Sequence, residues 1–462
     1  MLVEYKPIGG AVIPPSGASS HALIVHDPQS HEKCAVLIDF GLEPRPLKAA
    51  KGKYYSSTPP SEKPQVKNFG YGLHVRKLPS LEDFLGIGDK VVYASEECLP
   101  ACKLLEGIRV LCVVATHAHF DHIGGIPWFH VKFPDTKIVM TEPTLEMGER
   151  LWMAYTRSLQ LRNIRPLYHE SDIECLQDKA WLVRAGESID IGPFSLKFLE
   201  ANHVLGALCV FVTINTPRGS GIKIFFSGDM SLAKQRTVPP STILQEEADY
   251  AVIETTLASR QEVSSEKVET RLLRDVEGCL GRGGKFIFAR RSIGPAQEIF
   301  AILKQGGILE RWPKCVFFDG ATRSVAEVYA RHSAFGEEIK DVSPYLVSTE
   351  EQRKEIISSS RPAVVIAPAD QRSEILLRYL SAWSRSSRNV VDVAARGVRF
   401  RAKTTTYVLR AHLSLQDLEA IVGRLDPKKV FLVHGDTDES KKIERFLGRT
   451  VTRTVLGKSY YL

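Results

Sequence analysis

The sequence predicts an α/β fold. Short apolar runs with the length of buried strands recur along the chain, and amphipathic stretches with helical periodicity follow several of them. The clearest run, residues 108–115 (IRVLCVVA), has the length of a buried parallel strand and leads directly into a histidine-rich loop. The 462 residues correspond to about three average domains or to one elaborated fold with an insertion, and a 44% hydrophobic content supplies a large core.

The first part of the chain is predicted to consist mainly of strands. Residues 21–25 (HALIV) and 35–41 (AVLIDFG) have the apolar composition of short strands, and a polar loop at about 48–77 follows them. After the histidine-rich loop we expect a helix, a strand KIVM and a long helix over about 144–161. The remaining strands are predicted around IDIGPFSLKFLEA, LCVFVTI, IKIFFSGDM and YAVIETT.

The middle of the chain is predicted to form a small doubly wound unit. From Val263 onwards helices alternate with the apolar strands KFIFA, CVFFD and AVVIAP, an order typical of a parallel sheet covered by helices. After Thr404 the sequence returns to a strand TYVL, a helix LSLQDLEAIVGRL and a strand KVFLVHG. The helices predicted in the middle part are 265–280, 295–305 and 322–332.

The composition excludes several classes of protein. No apolar run approaches the roughly 20 residues that span a bilayer, and the start MLVEYKPIGG lacks the charged and apolar regions of a signal peptide. We therefore expect no membrane association and a cytoplasmic location, or a nuclear one in a eukaryote. The eight cysteines form no Cys-x-x-Cys pair, which favours reduced and mostly structural thiols.

The positive charge of the chain is concentrated in one segment. The net charge is +7, and residues 371–410 contain nine Arg and Lys against only Glu374 and Asp392, so this segment alone carries +7. A solvated basic face is the simplest interpretation of such a cluster. The segment becomes a candidate for nucleic-acid binding only if it lies beside a site that handles anions.

Four side chains that can ligate a metal lie within six residues, as His117, His119, Asp121 and His122. In a loop that leaves a strand, alternate residues project together, so His117 and His119 can face one cation while Asp121 and His122 face a second. Imidazole and carboxylate groups suit a borderline cation such as zinc. A lone histidine is more often a hydrogen-bonded core residue, but four donors at this density favour a metal site.

Three further donors stand at the ends of apolar strands or in the turns after them, as His203 in EANHVLGA, Asp229 in FFSGDM and His434 in VFLVHGD. Strand ends meet along one edge of a sheet, so these side chains are expected to complete a binuclear site with Asp229 as the bridging carboxylate. Two cations about 3.5–4 Å apart polarise a bridging water to hydroxide near neutral pH. Such a site hydrolyses phosphodiesters, esters or amides and does not by itself select among them.

These motifs resemble those of a known family. The segment THAHFDHIGG, together with Asp39, His203 and Asp229, is similar to the metallo-β-lactamase fold, an αββα sandwich. The segments YAVIE, VLRAHLSLQDL and KKVFLVHGD resemble the three additional motifs of the β-CASP nuclease branch, and RRSIGPAQEIFAIL resembles its Gly-Arg-x-Gln-Glu-Leu segment. The similarity extends from about residue 8 to about residue 440 and is to the RNA-directed branch, the ribonucleases of cleavage-and-polyadenylation type.

The resemblance implies a domain organisation and a set of metal ligands. A metallo-β-lactamase domain would be formed by residues 1–255 and 404–462, and residues 256–403 would form an inserted α/β cap. Two Zn²⁺ ions are implied, although Mn²⁺ suits the same nitrogen and oxygen ligands. One ion would be held by His117, His119 and His203, the other by Asp121, His122 and His434, with Asp229 between them.

The resemblance also implies roles in catalysis. Asp39 would steady the ligand loop, and Asp121 would act in catalysis as well as in metal binding. His412 would protonate the leaving oxygen, with Glu254 orienting and charging its imidazole, which agrees with the general chemistry of an acid held by a carboxylate. Two structural interpretations stay open, in which Glu254 is an ordinary strand-end carboxylate and His412 an ordinary residue at a helix N-terminus.

The resemblance favours RNA as the substrate. RNA-directed members have a histidine at the last motif, as His434 is here, whereas the DNA-repair members have a valine. The cap would close a basic cleft over the metals, in which Arg290, Arg291 and Arg410 are candidate phosphate contacts. The implied partners are single-stranded RNA and either a second copy of the chain or an RNA-processing complex.

The chain departs from the family pattern in its cap, and alternatives follow. The segment after AVVIAP lacks the usual Ser-Gly-Met signature, SSRNVVDVAARGVRF is short, and Arg410 stands where relatives often have a serine. A non-catalytic RNA-binding subunit is therefore one alternative to a ribonuclease. A DNA nuclease and a hydrolase of small esters on the same fold are the others, and whether cleavage would be endonucleolytic or exonucleolytic stays open.

Overall fold

The structure is a computed structural model that describes all residues except 14–17, 28–30, 43–44, 47–91, 94–98, 162, 216–220, 259–263, 338, 370–373, 394–402 and 449. The polar loop predicted at 48–77 and part of the basic segment 371–410 therefore lie outside the described residues. Within the described part of the chain, no helix is both long enough and apolar enough to cross a bilayer.

The first part of the chain alternates strands with a few helices. Its strands are β1 (Leu2–Gly9), β2 (Ser20–His26), β3 (Lys33–Ile38), β4 (Arg45–Pro46), β5 (Val92–Tyr93), β6 (Arg109–Val114), β7 (Lys137–Met140), β8 (Trp181–Leu182), β9 (Ser188–Ile191), β10 (Phe194–Glu200), β11 (Leu208–Ile214), β12 (Ile222–Phe226) and β13 (Tyr250–Glu254). Its helices are α1 (Phe120–Ile123), α2 (Ile126–Lys132), α3 (Glu142–Gln160) and α4 (Glu170–Lys179). The long helix α3 begins where the side chain of Thr141 accepts a hydrogen bond from the N–H of Thr144.

The second half of the chain alternates helices and strands more regularly. Its strands are β14 (Lys285–Arg290), β15 (Val316–Phe318), β16 (Ala363–Pro368), β17 (Val390–Val393), β18 (Lys403–Thr405), β19 (Lys429–Val433), β20 (Val451–Arg453) and β21 (Tyr460–Tyr461). Its helices are α5 (Ser265–Gly281), α6 (Pro295–Gln305), α7 (Ile308–Arg311), α8 (Ala321–Arg331), α9 (Glu350–Ser358), α10 (Glu374–Trp383), α11 (Leu415–Leu425) and α12 (Thr437–Leu447).

Two mixed sheets pack face to face. One has the strand order β21-β1-β2-β3-β6-β7-β8 and the other β20-β19-β13-β12-β11-β10-β9. Alternate side chains of both sheets, such as Val36 and Val210, form one buried apolar layer between them. The opposite face of β3 presents Leu37 to a second apolar cluster that contains Trp152 of α3. Helices therefore cover the sandwich, which confirms the predicted α/β class.

The middle of the chain forms a separate parallel sheet with the order β15-β16-β14-β17-β18. Phe286 and Phe288 of β14 pack on one face in a cluster that includes residues of α5 and α6. Ile287 and Ala289 pack on the other face against residues of α10. Because both faces are buried, the strands are apolar throughout rather than alternating, as the sequence predicted for a doubly wound unit. We refer to this sheet and its helices as the cap.

The prediction of a strand at TYVL is wrong. The strand in this region is β18, which ends at Thr405 and pairs in parallel with β17, so the cap sheet extends two residues beyond the expected boundary at 403. The chain then leaves regular structure, because the Tyr407 side chain turns into the cap and its hydroxyl donates to Asp275 of α5. The residues after Tyr407 continue to the edge of the sandwich, where Ala411 contacts His203.

The ends of several strands meet at one edge of the sandwich. β12, β13 and β19 are parallel neighbours, so the residues that follow them emerge at the same edge. The antiparallel β11 begins at that edge, and the loop before it therefore lies there as well. The N–H of Leu208 at the start of β11 donates to the carbonyl of Thr116, which follows β6 of the other sheet. A hydrogen bond therefore connects the loop after β6 in one sheet with the start of β11 in the other.

Gly41 tests how tightly the loop after β3 is packed against the histidine-rich loop. A Cβ at Gly41 would lie 1.7 Å from the carbonyl oxygen of Asp121, whereas a Cβ at Gly423 in α11 meets nothing within 4 Å. We expect Gly41→Ala to lower the free energy of unfolding by at least about 1–3 kcal/mol because backbone must move. Gly423→Ala should raise it by about 0.5–1 kcal/mol by favouring the helix. Denaturant unfolding measures both, and equal stabilities would contradict the close packing.

Candidate metal centre

Three histidines and one aspartate form the first group of donors. Nε2 of His117 and Nε2 of His203 lie 3.0 and 3.2 Å from Nδ1 of His119. Oδ2 of Asp229 lies 3.7 Å from the same nitrogens of His117 and His203. The four ligand atoms therefore surround one point, and all but His119 are buried.

Asp121, His122 and His434 form the second group. Nε2 of His434 lies 3.0 Å from Oδ2 of Asp121, and Nε2 of His122 lies 4.0 Å from the same oxygen. Oδ1 of Asp229 is 3.4 Å from Nε2 of His122, so the two oxygens of this carboxylate face the two groups. The side chain of Asp121 is 37% exposed, which leaves this group open to solvent.

The donor set fits divalent cations. Among the described residues, Nε2 of His122 and Oδ1 of Asp229 are buried and have no hydrogen-bond partner, although burying such atoms without a partner is costly. A tetrahedral zinc site with bonds of about 2.0–2.1 Å spaces its ligand nitrogens by about 3.3 Å, close to the 3.0 and 3.2 Å found in the first group. The nitrogens and oxygens are of the types that zinc and manganese bind.

The protonation states differ between the two groups. Burial lowers the pKa of His119 to about 4 and lowers those of His117 and His203 well below the usual value, so these imidazoles are neutral, as metal ligation requires. Burial opposes charge on His122 and His434, but neighbouring carboxylates together outweigh it and raise their pKa values to about 10 and about 9. Asp229 and Asp121 act on both histidines, and Asp39 acts on His122 as well. Cation binding at the second group would therefore release protons.

Asp39 supports both groups, by a direct contact with His122 and through Thr116 to His117. Its Oδ2 accepts a hydrogen bond of 2.6 Å from Nδ1 of His122, and its Oδ1 accepts one of 2.7 Å from the backbone N–H of Thr116. The Thr116 hydroxyl donates to Oδ2 of Asp39 at 3.0 Å and lies 3.1 Å from Nδ1 of His117. One carboxylate thus orients a histidine of each group, which is the usual support of ligating imidazoles.

Two further outer contacts involve backbone carbonyls. Nδ1 of His203 donates to the carbonyl of Ala411 over 2.5 Å, and Nε2 of His119 lies 3.5 Å from the carbonyl of Ile293 in the cap. None of these three supports, Thr116, Ala411 and Ile293, was predicted from the sequence. Backbone acceptors leave no trace in a sequence, and for Thr116 the one signal was its position between strand β6 and the first histidine.

Glu254 and His412 lie together at the rim of the centre. Oε1 of Glu254 accepts from Nδ1 of His412 at 3.0 Å, and Oε2 accepts from the N–H of Thr256 at 2.8 Å. Burial alone lowers the pKa of His412, but the carboxylates of Glu254 and Asp229 together outweigh it and the pKa is raised. The His412 ring lies 4.7 Å from the ring of His203. The His412 imidazole is thus held beside the first group by a buried carboxylate that favours its protonated form.

The structure places the three predicted arginines in different settings. Arg290 is buried in the cap, where it donates to Asp392 and, at 2.9 Å, to the carbonyl of Tyr407. This interior pairing argues against the phosphate contact expected for Arg290 and corrects it. Arg291 is exposed and acts electrostatically on His119, and Arg410 is half-buried in an ion pair with Asp417.

Two family models match the chain. Residues 19–241 match the model described as the metallo-beta-lactamase superfamily, and residues 397–451 match the model described as the Zn-dependent metallo-hydrolase RNA specificity domain. The first range contains six of the seven predicted metal ligands, and the second contains His412 and His434.

The chain is also similar to several curated proteins. It is 24% identical over 376 residues to transcription termination factor FttA of Pyrococcus abyssi, which covers 70% of this chain and 57% of that protein. It is 23% identical over 426 residues to cleavage and polyadenylation specificity factor 73 of Drosophila melanogaster, covering 83% and 62%. It is 25% identical over 376 residues to an RNase J-like protein of Methanocaldococcus jannaschii, covering 73% and 85%. The chain thus spans little more than half the length of the FttA relative.

One solved structure has the same overall fold. The crystal structure of a protein of unknown function from Enterococcus faecalis V583 superposes with a TM-score of 0.58 and 13% identity and covers the whole of both chains. At this identity the similarity shows the fold alone.

Arg290, the last residue of β14, and Arg291, which follows it, make a matched pair for testing the interior role of Arg290. Arg290→Met leaves the carboxylate of Asp392 buried without its cation, and we expect the free energy of unfolding to fall by about 3–5 kcal/mol. Arg291→Met changes an exposed side chain and should alter it by less than about 0.5 kcal/mol. Denaturant unfolding compares the two, and a stable Arg290→Met variant would contradict the pairing with Asp392.

Proposed function

We propose that the chain, in which residues 19–241 match the metallo-β-lactamase superfamily, is a metal-dependent ribonuclease that hydrolyses phosphodiester bonds of single-stranded RNA. The observation that carries the proposal is the placement of the Glu254 and His412 pair beside the two groups of metal ligands. This pair can supply the proton that the leaving oxygen of a phosphodiester requires. The match of residues 397–451 to an RNA specificity domain supports RNA as the substrate class.

We assign two cations to the centre, Zn²⁺ or Mn²⁺. His117, His119 and His203 would hold one, Asp121, His122 and His434 would hold the other, and Asp229 would contribute one oxygen to each. When bound, the cations supply Lewis acidity and lower the pKa of water to near neutrality. The separate facing of the two Asp229 oxygens supports a count of two.

The side chains of the centre divide the proton transfers between them. His412 is the general acid, because its pKa is raised and a proton on its free nitrogen can pass to the leaving oxygen. Glu254 holds the imidazole by its Nδ1 and stabilises its charge. Asp121 has the most exposed carboxylate of the centre, and the hydrogen bond from His434 helps to lower its pKa against the effect of burial, so it stays ionised to accept a proton from the attacking water.

We assign the phosphate contacts outside the centre to Arg291 and Arg410. Arg291 is exposed in the cap loop that reaches His119, so it can meet a phosphate beside the scissile one. Arg410 stands two residues before His412, where its ion pair with Asp417 fixes the guanidinium. A dimer or an RNA-processing complex, and a cytoplasmic or nuclear location, remain predictions from the family resemblance.

The ribonuclease activity is tested with end-labelled single-stranded RNA. We expect cleavage by the zinc-loaded chain, loss of cleavage on chelation, and loss in His119→Ala and Asp121→Ala with folding retained, because each change removes a ligand. His169→Ala, at an exposed histidine outside the centre, serves as the control and should cleave normally.

The same assay separates the alternatives. RNA binding without cleavage by the zinc-loaded chain would overturn the proposal in favour of a non-catalytic subunit, and cleavage of single-stranded DNA alone would indicate a DNA nuclease. Cleavage that persists in both ligand variants would come from a contaminant. The lengths of labelled products distinguish internal cuts from stepwise trimming.

His412→Ala tests the general acid. We expect the single-turnover rate to fall by about 10²- to 10⁴-fold with little change in RNA affinity, because the proton donor acts only during bond cleavage. Glu254→Gln retains a hydrogen-bond acceptor without the charge and should lose less. An unchanged rate in His412→Ala would remove the assigned role.

A further inference from the structure

The side chain of Thr256 contacts one metal-ligating histidine twice. Its hydroxyl lies 2.9 Å from Nδ1 of His434 and donates to the carbonyl of the same residue at 3.1 Å. Thr256 is the second residue after strand β13, which ends at Glu254, and it precedes His434 by 178 positions. The contact therefore joins the turns after two neighbouring parallel strands, β13 and β19.

The direction of these hydrogen bonds follows from the number of protons available. A carbonyl oxygen can only accept, so both contacts are hydrogen bonds only when the single hydroxyl proton of Thr256 goes to the carbonyl of His434. The hydroxyl oxygen must then accept from Nδ1, which places a proton on that nitrogen. Oδ1 of Asp229 also lies 3.3 Å from Nδ1, but among the described residues this oxygen accepts no hydrogen bond. Thr256 is thus the partner of Nδ1, and Nε2 is the nitrogen turned towards Asp121.

The backbone of His434 needs the same support. Its φ is 51°, in the left-handed region that residues other than glycine adopt with strain. The N–H of His434 donates to the carbonyl of Gly10 at 2.7 Å, and the Thr256 hydroxyl binds the carbonyl on the other side. Thr256 therefore fixes both the backbone and the ring of this histidine.

The histidines of the two groups differ in the nature of their outer partner. His122 is held by the carboxylate of Asp39 and His203 by the backbone carbonyl of Ala411. For His434, as for His117 beside Thr116, the partner is an uncharged threonine hydroxyl, and the side chain of Thr256 is half-buried. Replacing Thr256 by valine removes the hydroxyl with almost no change in volume. The effect on the cation site that contains His434 can therefore be measured separately from the effect on the other cation site.

We propose that Thr256 is a positioning residue that selects the Nδ1-protonated form of His434 and thereby sets the cation affinity of the group formed by Asp121, His122 and His434. The inference rests on the proposed function, because it assumes that this group binds a cation. It concerns the second group only, since no contact of Thr256 reaches His117, His119 or His203 among the described residues.

Zinc affinity of the metal-free full chain tests the proposal. Each variant is titrated with Zn²⁺ against a competing chelator so that the affinities of the two cations are resolved. We expect Thr256→Val to weaken one cation by about 10- to 100-fold, the usual effect of losing an outer partner, and to leave the other unchanged. Thr256→Ser keeps the hydroxyl and should restore the affinity, and Thr256→Ala should repeat the loss without a β-branched side chain.

Thr255→Val is the matched control. The Thr255 hydroxyl donates to the carbonyl of Val433, which also accepts the N–H of Thr255, and it does not contact the His434 ring. This variant should bind both cations as the unaltered chain does. Melting temperatures of the metal-free proteins are measured in parallel, because a purely structural role would lower them in Thr256→Val without separating the two affinities.

The possible outcomes distinguish this inference from the proposed function. Equal zinc affinities in Thr256→Val, Thr256→Ala and the unaltered chain would overturn the inference and leave the ribonuclease proposal intact. Loss of both cations to the same degree would also overturn it, since the effect would not be confined to one group. An unaltered chain that binds no second cation would contradict the two-cation centre itself, together with the inference.

Discussion

The buried carboxylate of Asp229 is the interaction on which the arrangement of the molecule depends. Its side chain is only 3% exposed, and burying a carboxylate without partners is costly. Imidazoles of both donor groups approach its two oxygens, His117 and His122 from the loop after β6 of one sheet and His203 and His434 from strand ends of the other. The edges of the two sheets that carry these histidines must therefore lie next to each other, with the Asp229 carboxylate between them.

The local part of the centre could be predicted from sequence because its signal is local. Four donors in six residues after an apolar strand are visible without any knowledge of packing, and the donors at later strand ends follow from the geometry of parallel sheets. The structure brings all of these residues together, and Asp39 and the Glu254 and His412 pair lie beside them. The cap was also predictable, since its strands are apolar throughout and alternate with helices.

The remainder could not be predicted because it depends on pairing between distant residues. Arg290 and Arg291 are identical in type and adjacent, yet one is buried against Asp392, 102 positions away, and the other is exposed. The segment TYVL has strand composition, but Tyr407 is anchored by Asp275 and the backbone continues to Ala411, whose carbonyl holds His203. Composition and periodicity contain no information on such contacts.

The neighbouring positions of β13 and β19 in one sheet have a consequence for biosynthesis. These strands pair in parallel although the whole cap is translated between them, and His434 follows the later strand. A nascent chain that has emerged only as far as the cap lacks the third donor of one group and the imidazole partner of Glu254. The second donor group would therefore be complete only after translation has passed β19, however early the histidine-rich loop has emerged.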